Sequence, residues 1–294
     1  MKKILFKGCG TAIVTPFTDS QVNFEEFKKL IEFQIQEGVD AIVVCGTTGE
    51  SSTMSTTEKK ETIKFVVDTV NKRIPVIAGT GGNNTLASIE LSKYAESVGA
   101  DGLLLVTPYY NKTTQEGLVA HYGAIANSTI LPIILYNVPL RTGLNIAPST
   151  ALQLSKIENI VAIKEASNNI AQITEIASLC GDNLAIYSGN DDQIVPILSI
   201  GGIGVISVLS NILPKDTHNM VESYLNGDIK TAKELQLKTF ELTKALFMEV
   251  NPIPVKAGLS LLGYDVGIPR LPLIEMTTSG KAKLKEQMVS YGIL

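Results

Sequence analysis

Short apolar runs rich in Val and Ile recur along the chain, each bounded by turn residues. Most of these runs are apolar throughout rather than alternating, as expected of parallel strands that are covered on both faces. We therefore predict strands at Thr11–Thr15, Ala41–Gly46, Pro75–Thr80, Leu103–Thr107, Pro132–Val138, Ile160–Lys164, Ala185–Gly189 and Val205–Val208.

Segments with helical periodicity separate the apolar runs. Two of them carry an apolar stripe, formed by Phe24, Phe27, Ile31 and Ile35 and by Ile63, Val66, Val67 and Val70. The solvent side of the first helix is expected to carry Glu25, Glu26, Lys28 and Lys29. Capping boxes at Ser55–Glu58 and Thr113–Glu116, and a weaker one at Asn23, indicate helix starts.

Strand-then-helix units follow one another without a Pro-, Gly- or Ser-rich linker, a pattern typical of a (β/α)8 or TIM barrel. The alternative α/β architecture is an open doubly wound sheet, which carries a dinucleotide-binding fingerprint. That fingerprint is incomplete here, because Gly79–Asn84 has Asn where the third glycine belongs and Gly202-Ile203-Gly204 precedes a strand. We therefore predict the barrel.

The alternation of strands and helices stops after Val208. Helices then follow without intervening strands, at Pro214–Tyr224, Asp228–Val250, Pro254–Leu262 and Lys281–Tyr291. We predict a catalytic barrel over residues 1–225 and a helical C-terminal extension, residues 226–294, packed on the barrel.

Composition narrows the classes of function. The 294 residues have a formal net charge of −4, so the basic surface that nucleic-acid binding requires is not indicated. No apolar stretch approaches the roughly 18 residues of a membrane span. Charged residues make up 18%, below the roughly 25% of an average soluble domain. The low charge favours a large core, with subunit interface as the alternative explanation.

The cysteines indicate a reducing compartment. Cys9, Cys45 and Cys180 share no CxxC spacing and lie in apolar runs or at a helix end, so we interpret them as buried, inert thiols. The N-terminal apolar segment is interrupted at Lys7 and is too short for a signal peptide. We expect a cytoplasmic location.

Metal and histidine-centred chemistry are not indicated. His121 and His218 lie far apart, and neither has Cys, His or paired carboxylates at ligand spacing. Asp191 and Asp192 begin a predicted helix, where N-capping explains them better than metal binding. We predict no metal and no cofactor.

Lys164 is the clearest candidate for catalysis, because it ends a buried strand where barrel active sites form. Loss of hydration favours the neutral amine. A neutral amine attacks carbonyls to give a Schiff base, which acts as an electron sink. The alternative is a structural lysine paired with an acid such as Glu165, although adjacent strand residues face opposite sides.

Other polar residues at strand ends are compatible with the same chemistry. Tyr136 is either a core residue or a proton relay. Thr47 and Thr48, between glycines, form either a tight turn or a site for a carboxylate or oxyanion. Arg141 is either a surface residue or a bidentate clamp for a substrate carboxylate.

Several motifs stand in order at predicted strand ends or helix starts. They are Gly46-Thr47-Thr48-Gly49-Glu50, Val106-Thr107-Pro108-Tyr109-Tyr110, Tyr136-Asn137-Val138-Pro139 with Arg141-Thr142-Gly143, Ile163-Lys164-Glu165, Gly204-Val205-Ile206-Ser207-Val208 and Asn251-Pro252-Ile253-Pro254-Val255-Lys256. Together they resemble the dihydrodipicolinate synthase family, also called the 4-hydroxy-tetrahydrodipicolinate synthase family. The likeness runs from Gly10 to the C-terminus.

The resemblance implies a lyase that condenses pyruvate with L-aspartate-4-semialdehyde in the diaminopimelate route to lysine. It implies that Lys164 forms the pyruvate imine and that Thr47, Tyr136 and Tyr110 pass protons. The implied substrate contacts are Thr48 for the pyruvate carboxylate, Arg141 for the semialdehyde carboxylate, and Gly189 and Ile206 for the pyruvate pocket. A homotetramer of two tight dimers is also implied, with Tyr110 reaching into the neighbouring site.

Two other functions stay open at this point. N-acetylneuraminate lyase and the 2-keto-3-deoxy-sugar-acid aldolases share the barrel and the lysine of this superfamily. They differ at Arg141 and in the loop after Gly46, where Thr47 with Thr48 favours the synthase. A non-catalytic binding protein on the same barrel would have no reason to keep the lysine, tyrosine and threonines together.

The resemblance also predicts weak or absent feedback inhibition by lysine. Lysine-inhibited members use Tyr109, Ser51 and Asn83, which are present, and a histidine and a glutamate where this chain has Thr56 and Ala87. Loss of the anionic partner of an amino group costs about 2 kcal/mol or more, over tenfold in affinity. A steady-state titration with lysine checks this, and half-maximal inhibition at sub-millimolar lysine would contradict it.

Overall fold

The chain folds into a closed barrel of parallel strands. The computed structural model describes residues 2, 4–19 and 21–294, so Met1, Lys3 and Ser20 of the predicted barrel lie outside the described residues. The strands are β1 (Gly8–Ala12), β2 (Ala41–Val44), β3 (Val76–Gly79), β4 (Gly102–Val106), β5 (Ile133–Asn137), β6 (Ile160–Glu165), β7 (Ala185–Ser188) and β8 (Gly204–Ser207). Each pairs with its sequence neighbour and β8 pairs with β1, so the predicted (β/α)8 barrel is confirmed.

Strand β1 is the one whose predicted bounds are clearly wrong. It covers Gly8–Ala12 instead of Thr11–Thr15, while the other strands agree with prediction to within two residues at each end. Residues 13–15 are buried, but they belong to the loop that leaves the barrel. Val14 N donates to Asn211 Oδ1 at 3.0 Å and Thr15 Oγ1 to the Gly49 carbonyl at 2.8 Å. The pattern of this segment is therefore apolar because other segments cover it, and it resembles that of a buried strand.

Helices surround the barrel and continue after it. They are α1 (Phe24–Gln36), α2 (Thr56–Val70), α3 (Thr85–Ser97), α4 (Gln115–Ala126), α5 (Pro139–Thr142), α6 (Pro148–Leu154), α7 (Ile170–Cys180), α8 (Ile194–Leu198), α9 (Pro214–Leu225), α10 (Ile229–Leu246), α11 (Ile253–Leu261) and α12 (Thr278–Tyr291). Among the described residues, no helix combines the length and the apolar character needed to cross a membrane.

The helix starts agree with two of the three predicted caps. Ser55 forms a complete capping box with Glu58 at α2, and Asn23 caps α1 by accepting from the Glu26 amide. The box predicted at Thr113–Glu116 is out of register by one residue. Thr114 caps α4 instead, accepting from the Gly117 amide.

Helix α1 packs mainly as its stripe predicts, with Phe27 and Ile31 fully buried. The prediction is wrong for Glu26, which is only 4% exposed. Its Oε1 accepts from the Asp265 amide at 2.9 Å and its Oε2 from Lys29 Nζ at 2.7 Å. The loop after α11 therefore covers a flank of α1 that periodicity alone assigns to solvent.

The apolar side chains form two main layers, one inside the barrel and one between the barrel and its helices. Inside, Phe6 stacks on Tyr187 with ring centroids 4.5 Å apart, and the Tyr187 hydroxyl donates to the Phe6 carbonyl at 2.6 Å. These aromatic rings fill the barrel interior below the strand ends that carry the candidate residues.

The cysteines are free and buried, as predicted. Burial raises the pKa of the Cys45 thiol to about 12 and also raises the pKa of Cys9. Because the thiolate is the nucleophile, a raised pKa disfavours reactivity at both positions.

The C-terminal helices pack on one another and on the last helix of the alternating part. Helix α10 packs against α9 and α12, and α11 packs against α12. Helix α10 ends at Leu246, four residues before its predicted end at Val250, and the following segment turns towards the carboxyl ends of the barrel strands. The division of the chain at residue 225 stays a prediction.

Candidate active site

A cavity of about 510 Å³ opens at the carboxyl ends of the strands. Its wall contains several of the residues singled out from the sequence: Thr47, Thr48, Tyr136, Arg141, Lys164 and Gly189. They follow or end β2, β5, β6 and β7, so closure of the barrel brings together side chains that are far apart in sequence.

Lys164 lies on the inner face of β6 and is 5% exposed. Tyr136 is its register partner on β5, and Lys164 Nζ lies 4.4 Å from the centroid of the Tyr136 ring. Among the described residues, no carboxylate lies within ion-pair distance of Lys164 Nζ, and Glu165 is not its partner. Lys164 is therefore a buried amine that faces the cavity without an acid paired to it.

Gly189 gives the lysine side chain its room. A Cβ at this position would lie 3.1 Å from Lys164 Cε and 2.7 Å from the Ala166 Cβ. The Gly189 amide also donates to the Glu165 carbonyl at 2.7 Å, which joins the end of β7 to the end of β6. A larger residue would push the lysine stem from its position.

The loop after β2 supplies hydroxyl groups to the cavity. Thr48 is 2% exposed, and its Oγ1 accepts from Asn251 Nδ2 at 3.0 Å. Arg141, on the single turn α5, is exposed and donates from a guanidinium nitrogen to the Asn251 carbonyl at 3.3 Å. Asn251 thus contacts both residues that the sequence analysis assigned to substrate carboxylates.

The residues between α10 and α11 are the part of the site that sequence reasoning missed. The cavity is lined by Phe247, Met248, Glu249, Val250 and Asn251. The sequence assigned most of them to a helix and gave Asn251 no role. Pro252 is a signal for Asn251 alone, because a residue before proline is disfavoured in helical conformation, and it does not mark residues 247–250.

Two predicted site residues do not line the cavity. Tyr110 is 91% exposed, with a φ of 70°, a left-handed conformation that is uncommon for a tyrosine. Ile206 is fully buried inside the barrel on β8, opposite Gly10 of β1. Ile206 therefore lies inside the barrel rather than in the cavity wall, and Tyr110 lies outside that wall.

Asp191 has a different role from the predicted cap of its own helix. It is 2% exposed, and its carboxylate accepts from the amides of Val208 and Leu209, both at 3.0 Å. Burial raises the pKa of Asp191, opposed by these hydrogen bonds. Asp191 therefore caps the turn after β8 and ties β7 to β8.

Groups of three or more His, Cys, Asp or Glu placed to hold a metal do not occur among the described residues.

Glu165 lies on the outer face of β6, beside Asn137 of β5, and both are completely buried. Asn137 Nδ2 donates to Glu165 Oε1 at 2.7 Å, and Ser167 Oγ and Gln172 Nε2 donate to Oε2 at 3.2 and 3.4 Å. Burial raises the pKa of Glu165 to about 7, and these hydrogen bonds oppose the rise. The outer network joins the strands that carry Tyr136 and Lys164 on their inner faces.

The comparisons with known proteins place the chain among dihydrodipicolinate synthases. Residues 5–290 match the Dihydrodipicolinate synthetase family. The 4-hydroxy-tetrahydrodipicolinate synthase of Clostridium perfringens is 57% identical over 290 residues, 99% of this chain and 100% of that protein. The dihydrodipicolinate synthase of Thermotoga maritima superposes with a TM-score of 0.97 at 43% identity, covering 99% of this chain and 100% of the other. The enzyme of Acinetobacter baumannii, complexed with pyruvate, gives 0.95 at 43% identity, covering 98% and 99%.

The raised pKa of Glu165 predicts how stability depends on pH. Between its ordinary range and about pH 7 the native state binds a proton that the unfolded chain releases, so stability falls as pH rises. Glu165→Gln removes this dependence. As pH rises through that window, the free energy of unfolding of the variant should increase relative to that of the parent by up to about 1.4 kcal/mol per pH unit.

Urea denaturation at about pH 5 and about pH 7.5 measures the effect. Glu175→Gln, on the exposed side of α7, is the matched control and should show no such change. An equal stability difference between Glu165→Gln and the parent at both pH values would contradict the prediction.

Proposed function

Since the chain belongs to the dihydrodipicolinate synthetase family, we propose that it condenses pyruvate with L-aspartate-4-semialdehyde. It is an enzyme, a lyase that carries out the 4-hydroxy-tetrahydrodipicolinate synthase reaction of lysine and diaminopimelate biosynthesis. The observation that carries the proposal is the buried Lys164 amine, which faces the cavity beside Tyr136 and has no acid within ion-pair distance among the described residues. We propose the cytoplasm as the location of the reaction.

The chemistry starts at Lys164 Nζ. In its unprotonated form the amine adds to the C2 carbonyl of pyruvate, and uptake of a proton with loss of water leaves a protonated imine. The imine withdraws electrons, so a methyl proton is released and the resulting enamine carbon attacks the aldehyde of the second substrate. Tyr136 lies against Lys164 and Thr47 lines the same wall, which supports their roles in moving these protons.

The carboxylates of the two substrates are assigned to different residues of the cavity wall. Thr48, beside Thr47 in the loop after β2, takes the pyruvate carboxylate, and Gly189 leaves space beside the imine. Ile206 supports this pocket from below, inside the barrel. Arg141 at the exposed rim takes the semialdehyde carboxylate, since a guanidinium binds a carboxylate through two hydrogen bonds.

The protein is proposed to act as a homotetramer of two tight dimers. Tyr110 supports the dimer within this assembly: the side chain is almost fully exposed and does not line the cavity of its own protomer. A role in proton transfer therefore requires that Tyr110 enter the site of a neighbouring subunit.

Trapping the imine tests the central step. Borohydride reduction in the presence of pyruvate, followed by peptide mass mapping, should label Lys164 and leave Lys256, also buried, unmodified. Lys164→Ala should not be labelled. Turnover should be found with aspartate semialdehyde and not with N-acetylneuraminate or 2-keto-3-deoxy sugar acids, and failure to label Lys164 would overturn the mechanism.

Mixed oligomers test the role of Tyr110. Lys164→Ala and Tyr110→Phe should each be nearly inactive alone. Co-expressed in equal amounts, they should recover about a quarter of parental turnover per chain, because half of the dimers are mixed and each mixed dimer has one complete site. If Tyr110 serves its own protomer, no mixed dimer has a complete site and activity stays at the level of the single variants.

A further inference from the structure

The motif Asn251–Lys256 has a charged end that the proposed chemistry does not use. Lys256, on α11, is 1% exposed, and its Nζ lies 2.8 Å from Glu50 Oε1. Glu50 is 2% exposed and lies in the loop after β2, two residues beyond Thr48. A buried ion pair therefore connects the C-terminal helices directly to the loop that lines the cavity.

Both charges of this pair have further hydrogen-bond partners. Lys256 Nζ also donates to the carbonyls of Thr15 and Ile268, both at 3.3 Å, so each of its three N–H groups has an acceptor. The second carboxylate oxygen of Glu50 accepts from the Arg270 amide at 2.8 Å. Burial lowers the pKa of Lys256, and the adjacent Glu50 carboxylate opposes that change.

An aromatic ring and a second ion pair surround the first. Phe17 lies beneath both cations, with its ring centroid 4.6 Å from Lys256 Nζ and 4.0 Å from the Arg270 guanidinium carbon. Arg270 in turn pairs with Glu58 at 2.7 Å. Glu58 belongs to the capping box of α2, the helix that follows the loop. The same group of residues therefore contacts both the middle of the segment between β2 and α2, at Glu50, and the first turn of α2, at Glu58.

The backbone of the loop depends on these contacts. Glu50 has a φ of 53°, a left-handed conformation that carries a conformational cost in a residue other than glycine. The Glu50 amide donates to the Thr47 carbonyl at 3.0 Å, which closes a turn over Thr48 and Gly49. Withdrawing the Glu50 carboxylate from Lys256 removes an attraction that holds this turn, and the turn sets the direction of the threonine side chains.

We propose that Lys256 is a positioning residue for the reaction: through its buried ion pair with Glu50 it holds Thr47 and Thr48 in the orientation that binds the substrate carboxylate. Asn251, five residues earlier, contacts Thr48 directly, so α11 and the segment before it hold the loop at two points. A buried ion pair can be replaced by neutral groups with little loss of stability, whereas removing one partner leaves a buried charge unpaired. Stability and positioning can therefore be measured separately.

The experiment uses Lys256→Met and the neutral double variant Glu50→Gln with Lys256→Met. The control is Arg73→Met, which breaks the exposed bidentate pair of Arg73 with Glu32. Lys256→Met should melt well below the parent and the double variant should recover most of that loss. In both variants the KM for pyruvate should rise about tenfold or more, whereas the KM for the semialdehyde should change less than about threefold.

The inference takes its substrate from the proposed function. Hydrogen exchange of the loop peptide is a readout that does not depend on that function. Backbone amides of residues 47–53 should exchange faster in both variants and at the parental rate in Arg73→Met. Unchanged exchange overturns the positioning role whatever the substrate is. If the double variant regains its stability, keeps the parental KM for pyruvate and shows parental borohydride labelling of Lys164, the positioning role is overturned and the proposed function stands.

Discussion

Eight parallel strands close into one barrel, and closure brings all of their carboxyl ends to a single mouth. The cavity exists because of that geometry. Thr48 follows β2, Tyr136 lies on β5, Lys164 on β6 and Gly189 after β7. Each contributes a group to the wall of the cavity, while aromatic packing of Phe6 on Tyr187 fills the interior below. A displaced strand would remove a side chain from the site without changing any residue in it.

The two faces of the strands have separate tasks. Lys164 and Glu165 are neighbours in sequence, yet the pleat sends the first into the cavity and the second into the layer between strands and helices. Tyr136 and Asn137 divide in the same way. The outer side chains bond to each other across β5 and β6, and this keeps the inner ones in register. Asn137 and Glu165, both completely buried, are therefore hydrogen-bonded on the outside, whereas the Lys164 amine on the inside has no paired acid among the described residues.

The C-terminal helices complete the site rather than only covering the barrel. Asn251 binds Thr48 and Arg141, and Lys256 binds Glu50, so the loop after β2 is held from above by a part of the chain outside the strand-helix alternation. The core is extensive, as the low charge content predicts. The alternative explanation of the low charge is surface that a second subunit buries. Exposed apolar side chains that would belong to such a surface include Leu86, Tyr110 and Leu140.

The sequence by itself determined the barrel, nearly all strand positions and the identity of the candidate lysine. These follow from local signals: continuous apolar runs mark strands covered on both faces, and a lysine at the end of such a run departs from the pattern. Local signals failed where distant segments cover one another. Residues 13–15, after β1, contact residues 211 and 49, and residue 265 covers Glu26.

Only the tertiary structure decided which groups meet. Asn251 and Thr48 are 203 residues apart, and Lys256 and Glu50 are 206 apart. Nothing in the periodicity of either segment encodes the other, because hydrophobic patterning specifies which face of an element is buried and not which side chain it meets. Polar contacts across such distances depend on the closed barrel and on the path of the last helices over its mouth. They therefore became visible only in the folded chain.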